Sequence, residues 1–158
     1  MEKLTFLGIG PKIGRIALPY LAITLVLNHF FHGTFSFGAS LREPLLIAGL
    51  ILLAIALVFY IASVRLMFPG IRNNKLVTSG PYRLCRNPLY AALLLFLVPG
   101  LAMILNSWLI LTTTLVGYLA FRRYIHEEEE MLRRIFGEEY REYHDKTPAL
   151  FPGIVQNR

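Results

Sequence analysis

From Pro44 to Phe68 the chain offers a single interior charge, Arg65, in a run of roughly 25 apolar residues. Wound as a helix at about 1.5 Å per residue, that run exceeds the hydrocarbon thickness of a bilayer. Arg65 lies near enough to its end to extend its guanidinium to the headgroups. With 55% hydrophobic against 16% charged residues, the 158 residues are too apolar for an ordinary soluble domain, and the membrane class comes first.

Three further apolar runs fit the same reading. Ile16 to about Phe35 follows Lys12 and Arg15 and ends in His29-Phe30-Phe31-His32; no small-residue cleavage site follows it, so it reads as a membrane helix rather than a signal peptide. Leu89–Leu105 and Leu109–Phe121 are separated only by Asn106-Ser107-Trp108, which predicts a membrane hairpin turning near Asn106, with Pro99-Gly100 able to kink its first helix. After Arg122-Arg123 the chain turns charged but keeps helical spacing of its apolar residues, predicting an interfacial amphipathic helix and a tail. The expectation is an all-α integral membrane protein, a single domain over 1–158, with four spans near 16–35, 44–68, 88–105 and 106–121 and a cytoplasmic amphipathic C-terminal helix. The formal charge of +6 comes from basic residues flanking the apolar runs, not from a stripe interleaved with aromatics. This argues against nucleic acid and, by the positive-inside bias, predicts a multi-pass membrane protein with both termini in the cytoplasm; a prokaryotic plasma membrane is the expected location. Cys85 is the only cysteine, so no internal disulfide can form, and a reduced, semi-buried thiol is expected.

The predicted hairpin returns the chain to the side it left, so the polar connection 69–87 and the segment after Phe121 should meet at the membrane surface. Within Glu127–Glu130, Glu129 and Glu130 stand four residues before Arg133 and Arg134, the favourable order for solvated surface pairs. Glu128 differs: Phe121, Tyr124, Ile125, Leu132 and Ile135 are its helical neighbours, placing it on the apolar stripe. An inward carboxylate at a membrane is costly without a partner and is a functional candidate by default, with a structural ion pair as the plainer alternative. Across Lys75–Tyr90, Ser79-Gly80-Pro81 makes a turn, Asn87 suits an N-cap, Pro88 a first helical turn and Arg86 a headgroup anchor. Tyr82, Tyr90 and an excess of cations are left over, so structural and functional readings both stay open. His29 and His32 read as belt residues with no third metal ligand in view, His126 and His144 as solvated, and Trp108 as an interfacial anchor.

These segments resemble the isoprenylcysteine carboxyl methyltransferase family and its relatives among the small membrane phospholipid methyltransferases. The resemblance rests on Leu76-Val77-Thr78-Ser79-Gly80-Pro81-Tyr82, Arg86-Asn87-Pro88-Leu89-Tyr90 and, after the hairpin, Glu128-Glu129, Leu132, Phe136-Gly137, Tyr140 and Tyr143. It covers about half the chain. It implies a helical bundle whose cytoplasmic C-terminal half, near 72–90 and 122–153, encloses S-adenosylmethionine, with a tunnel to the bilayer for a lipid-like acceptor. Lys75, Leu76, Val77, Tyr82, Asn87, Pro88, Leu89, Tyr90 and Glu128 correspond to cofactor contacts, and Arg86, Asn87 and Glu128 are the catalytic candidates. Two departures matter. Asn87 stands where the eukaryotic enzymes have a histidine, so no general base is assigned there. Tyr124 stands where they have a substrate-binding arginine, while Arg123 points about 100° away on a regular helix, leaving Arg123 and Tyr124 as substrate-side candidates.

The implied activity is methyl transfer from S-adenosylmethionine to a membrane-partitioning small molecule, with carboxylate O-methylation favoured because a carboxylate needs no base, and lipid amine N-methylation also possible. A nicotinamide-dependent membrane reductase of related fold is one alternative, for which the chain is short. A non-catalytic subunit or transporter is the other; its spans would be expected to carry more polar groups than Thr24, Ser63 and Thr112–Thr114.

Overall fold

In the computed structural model, which describes residues 8–150, the chain is all helical; no strand occurs among the described residues, and one isolated bridge joins Ser36 and Ser107. Helix α1 runs Gly10–Phe30, with Pro11 in its first turn, where the missing N–H is harmless. It starts before the expected Ile16 and ends before Phe35, because Phe31 leaves helical backbone and Gly33, Ser36 and Gly38 follow.

Helix α2, Arg42–Arg72, is longer than the expected 44–68: it carries through Pro69, and the amide of Asn73 still bonds the Pro69 carbonyl at 3.0 Å. Both α1 and α2 are long and apolar enough to cross a membrane. A shorter apolar helix, α3, covers Pro88–Ile104. Its middle, Ala92–Leu97, is a π segment just before Pro99, whose ring nitrogen cannot donate to the carbonyl four residues earlier.

The turn expected near Asn106 is there. Asn106 takes a positive φ of 48°, and its Nδ2 donates to Ser36 Oγ at 2.8 Å and to the Gly38 carbonyl at 3.2 Å. Helix α4 then runs unbroken from Trp108 to Phe136. The separate amphipathic helix expected after Phe121 is instead the second half of α4, because the buried stripe Ile110, Thr113, Gly117, Ala120, Phe121, Ile125 continues with no Pro or further Gly until Gly137, at φ 56°. A short helix α5, Glu138–Lys146, follows.

α1 packs along α4, and α2 along α3. At the α2–α3 crossing the backbones touch: a Cβ on Gly49 would stand 2.7 Å from the Gly100 carbonyl oxygen, and one on Gly100 would stand 3.0 Å from that of Gly49. Some of the polar groups inside the bundle are paired within it. Tyr20 and Thr112 hydroxyls are 3.0 Å apart, and Ser63 Oγ donates to the Phe59 carbonyl at 2.6 Å. The alternating helices bring Gly10, Arg72, Pro88 and the charged half of α4 to one end of the bundle. Phe30, Arg42 and the Asn106 turn lie at the other.

Candidate active site

The polar connection after α2 is folded back on its own helix. The Lys75 amide donates to the Gly70 carbonyl at 2.9 Å, and Val77 presses so closely on Gly70 that a Cβ there would lie 2.3 Å from Val77 Cγ2. Gly80, at φ 59° and facing Leu66, turns the chain into a single helical turn, Pro81–Leu84, that carries Tyr82 inward.

Arg86 and Asn87 then lock this connection to the C-terminal segment. Their amides donate to the carbonyls of Pro148 (2.9 Å) and Ala149 (3.1 Å). The Arg86 guanidinium donates to the His144 and Thr147 carbonyls at 2.6 and 3.0 Å and to Glu129 Oε1 at 2.7 Å, with both charged side chains about 95% buried. Arg86 is thus no headgroup anchor: its charge is absorbed inside the protein. Asn87 precedes the first turn of α3 as expected, but its side chain makes no cap; Nδ2 donates to the Ala149 carbonyl at 3.1 Å. Pro88 takes its first-turn place.

Glu129 corrects a second expectation. It is 4% exposed and pairs with Arg86, not Arg133, and the His144 ring, read as solvated, stands 3.8 Å from its other oxygen. The signal was legible: Ile125, Leu132 and Phe136 stand four before, three after and seven after Glu129, so the apolar stripe has a carboxylate on each flank.

Glu128 does face inward. Its Oε2 accepts from the Ile9 amide at 3.2 Å and from the Tyr90 hydroxyl at 3.4 Å, and a Cβ on Gly8 would come within 2.7 Å of it. Burial raises its pKa above the ordinary 4.5; the two hydrogen bonds oppose that rise and the neighbouring Glu129 charge adds to it. Lys12 pairs with Glu127 and stands over the Tyr124 ring, pinning the start of α1 across the same face. Nothing in the sequence pointed to the Gly8–Gly10 segment as part of the site.

Between these walls lies a cavity of about 240 Å³. Lys75, Leu76, Val77, Tyr82 and Asn87 through Tyr90 all line it, as do Arg86 and Glu128. Arg123 and Tyr124 do not: Arg123 is exposed and stacked toward the Tyr124 ring at 5.8 Å, while Tyr124, one turn before Glu128, packs against the core beside the cavity with Lys12 over its ring. Helix α5 adds Tyr140 and Tyr143, and the Tyr143 hydroxyl donates to the Tyr82 carbonyl at 2.6 Å. Burial is the first cause that raises the phenol pKa of Tyr82, Tyr140 and Tyr143, so all three stay neutral donors. On the bilayer side, Tyr60 of α2 and Leu93 of α3 both line the cavity and are 41% and 39% exposed, so the cavity reaches the lipid-facing flank. Cys85, buried beneath the site, is free, with burial pushing its thiol pKa up to about 11.

A helical membrane protein with one cavity opening toward both water and lipid is the class this geometry defines. Residues 44–139 match the family model of phospholipid methyltransferases, and the chain belongs to that family. The protein CzcN of Cupriavidus metallidurans, a cobalt-zinc-cadmium resistance protein, is 34% identical over 142 residues, 89% of this chain and 64% of that protein. A probable protein-S-isoprenylcysteine O-methyltransferase of Oryza sativa subsp. indica is 40% identical over 82 residues, 52% of this chain and 43% of that protein. Protein-S-isoprenylcysteine O-methyltransferase B of Arabidopsis thaliana is 32% identical over 82 residues, 52% of this chain and 42% of that protein. The chain therefore spans between about two fifths and two thirds of the length of these relatives. The resemblance to the isoprenylcysteine methyltransferases and phospholipid methyltransferases holds.

Proposed function

We propose that this chain is a membrane methyltransferase that uses S-adenosylmethionine and acts on a lipid-like acceptor, with carboxylate O-methylation favoured over lipid amine N-methylation. The observation that carries the proposal is the single cavity in which the Lys75–Val77, Tyr82, Asn87–Tyr90 and Glu128 positions face a flank open to lipid at Tyr60 and Leu93.

The donor set suits such a cofactor. It carries a carboxylate, an ammonium and a sulfonium, and the wall offers Lys75 for the first, Glu128 for the second or for ribose hydroxyls, and the rings of Tyr82 and Tyr90 for the third. When bound, the cofactor supplies an electrophilic methyl group. The protein's own part is to orient the acceptor in line and to exclude water with α5 and the Thr147–Leu150 segment. A carboxylate acceptor attacks without losing a proton, which agrees with a site where Asn87 cannot titrate and the tyrosines stay protonated. Arg86 and Asn87 act as positioning residues in this reading, holding the C-terminal cover over the cavity.

The same reading places the whole chain in one domain that crosses the membrane four times, with both termini and the site at 72–90 and 122–153 in the cytoplasm. The test is calorimetric binding of S-adenosylhomocysteine to detergent-purified protein. Saturable binding is expected for wild type and for the Glu130→Ala control, and at least roughly tenfold weaker binding for Glu128→Gln, the size of one lost charge-assisted contact. No binding by folded wild-type protein overturns the proposal.

A further inference from the structure

The start of α1 closes over the carboxylate of Glu128, although it lies outside the residues 44–139 that match the family model. Ile9, the residue before α1, is 4% exposed and sits in the core with Ile13, Phe121, Ile125 and Leu150, so its own side chain fixes its backbone. Its amide donates to Glu128 Oε2 at 3.2 Å. Gly8, immediately before it, takes a φ of 44°, in the left-handed region that favours glycine. A Cβ there would lie 2.7 Å from Glu128 Oε2 and 3.0 Å from Cδ, so the chain passes directly over the carboxyl group and leaves no room for a side chain. Three residues after Ile9, Lys12 pairs with Glu127 and stands 5.6 Å from the centre of the Tyr124 ring. One turn of chain thus grips two consecutive carboxylates of α4: Glu128 by an amide on the inside, and Glu127 by an ammonium on the outside.

This grip decides which oxygen of Glu128 is available. Among the described residues its two hydrogen bonds, from the Ile9 amide and from the Tyr90 hydroxyl at 3.4 Å, both fall on Oε2, which leaves Oε1 for a ligand of the cavity that Glu128 lines. A buried carboxylate keeps its charge only where donors or cations stand beside it. The ionisable groups that interact with Glu128 are Glu129, a like charge, and the phenols of Tyr82, Tyr90 and Tyr140. Two cations line the cavity, Lys75 and Arg86, and Arg86 is taken by Glu129. The Ile9 amide is therefore the one of these donors that can neither titrate nor turn to another partner.

We propose that the Gly8–Lys12 segment is a positioning element of the active site: the Ile9 amide and the Lys12–Glu127 pair hold the Glu128 carboxylate so that Oε1 accepts from the ammonium or ribose hydroxyls of the cofactor. This rests on the methyltransferase reading and adds to it residues from a helix outside the family match.

The test measures S-adenosylhomocysteine binding to the full chain in detergent by calorimetry across pH. Wild type decides the methyltransferase reading by itself: no binding removes that reading and this proposal with it. In Gly8→Ala the new methyl meets the free end of the Glu128 side chain, so the carboxylate gives way, and binding should weaken at least about tenfold. Adding Gly8→Ala to Glu128→Gln should cost less than about threefold beyond Glu128→Gln alone, because both act through one carboxylate. Lys12→Glu sets a like charge against Glu127 and should weaken binding about threefold, and Lys12→Glu with Glu127→Lys should restore it. Both of these side chains are about half exposed, so the fold should survive, with helicity and thermal midpoint as the checks. The acid limb of the binding profile should move to higher pH in Gly8→Ala, since a donor to the ionised carboxylate is lost; a merely structural defect would lower affinity without moving that limb. Where wild type binds, the proposal alone is overturned by wild-type affinity in Gly8→Ala, by a double-variant loss equal to the product of the single losses, or by an unmoved acid limb.

Discussion

Glu128 combines two demands that conflict in a ligand-free protein. Its carboxylate is held near Tyr90 and the Ile9 amide, ready for a cationic or hydroxylated ligand, and burial makes its ionised form costly. Because its pKa is raised on folding, the contribution of the protonated group is fully present below 4.5, where the unfolded chain also keeps its proton, and is lost as pH rises through the higher folded-state value. Glu128→Gln should therefore unfold at a higher temperature than wild type at pH 8, with the two converging near pH 4, while S-adenosylhomocysteine binding weakens. A thermal series across pH measures this, and a Gln variant that is less stable at pH 8 would contradict it. Cys85 gives a second expectation at this scale. With its thiol pKa at about 11 and its side chain buried, it should resist maleimide at pH 8 in the folded protein and react at an ordinary thiol rate in denaturant. Spacing on one helix face was enough to single out Glu128 from sequence. The spacing of Glu129 points to Arg133, its nearest opposite charge in sequence, whereas its partner stands 43 residues away, and local spacing carries no information about such a partner.

At the scale of elements, the Arg86–Glu129 pair joins the loop before α3 to α4, and through the His144 and Thr147 carbonyls to the C-terminal cover. Glu129→Ala would leave a buried guanidinium unpaired and should cost about 3–5 kcal/mol, read as a large fall in thermal midpoint. It should also expose the bond after Lys146 to trypsin. Arg86→Met combined with Glu129→Leu should recover much of the loss, since an apolar pair of similar volume leaves no charge stranded. At the α2–α3 crossing, Gly49→Leu should separate the backbones that Gly49 and Gly100 bring together and lower the midpoint again, whereas Gly33→Leu, with open space at its Cβ, should not. The apolar runs made all the long helices legible before any coordinates. Their ends were not: α2 passes Pro69 because packing of Gly70 against Val77 outweighs one lost hydrogen bond, and α4 passes Arg122-Arg123 because those arginines sit on its exposed face without interrupting the stripe.

For the whole molecule, the arrangement in the membrane decides whether the cavity can meet water and lipid together. α1 and α2 have the length to cross; α3 is shorter, about 25 Å of helix, and α4 is crossing-length only if its apolar first half spans while its charged second half stands in water. That division follows from composition: between Trp108 and Phe121 α4 holds no charge, whereas Arg122–Arg134 holds four arginines, four glutamates and a histidine. Four crossings put Gly33 and Glu139 on opposite sides. The natural Cys85 is too buried to interfere, so Gly33→Cys and Glu139→Cys can each be labelled in intact cells with a membrane-impermeant maleimide; both positions are exposed. The expected result is labelling at residue 33 from outside and at 139 only after permeabilisation. Labelling of both from the same side would mean that an even number of the three helices between them cross, which overturns the four-crossing arrangement; a hairpin α3–α4 that failed to cross as a unit would still leave the two residues on opposite sides. The cavity itself, built from one end of the bundle alone, would stand unchanged by that result.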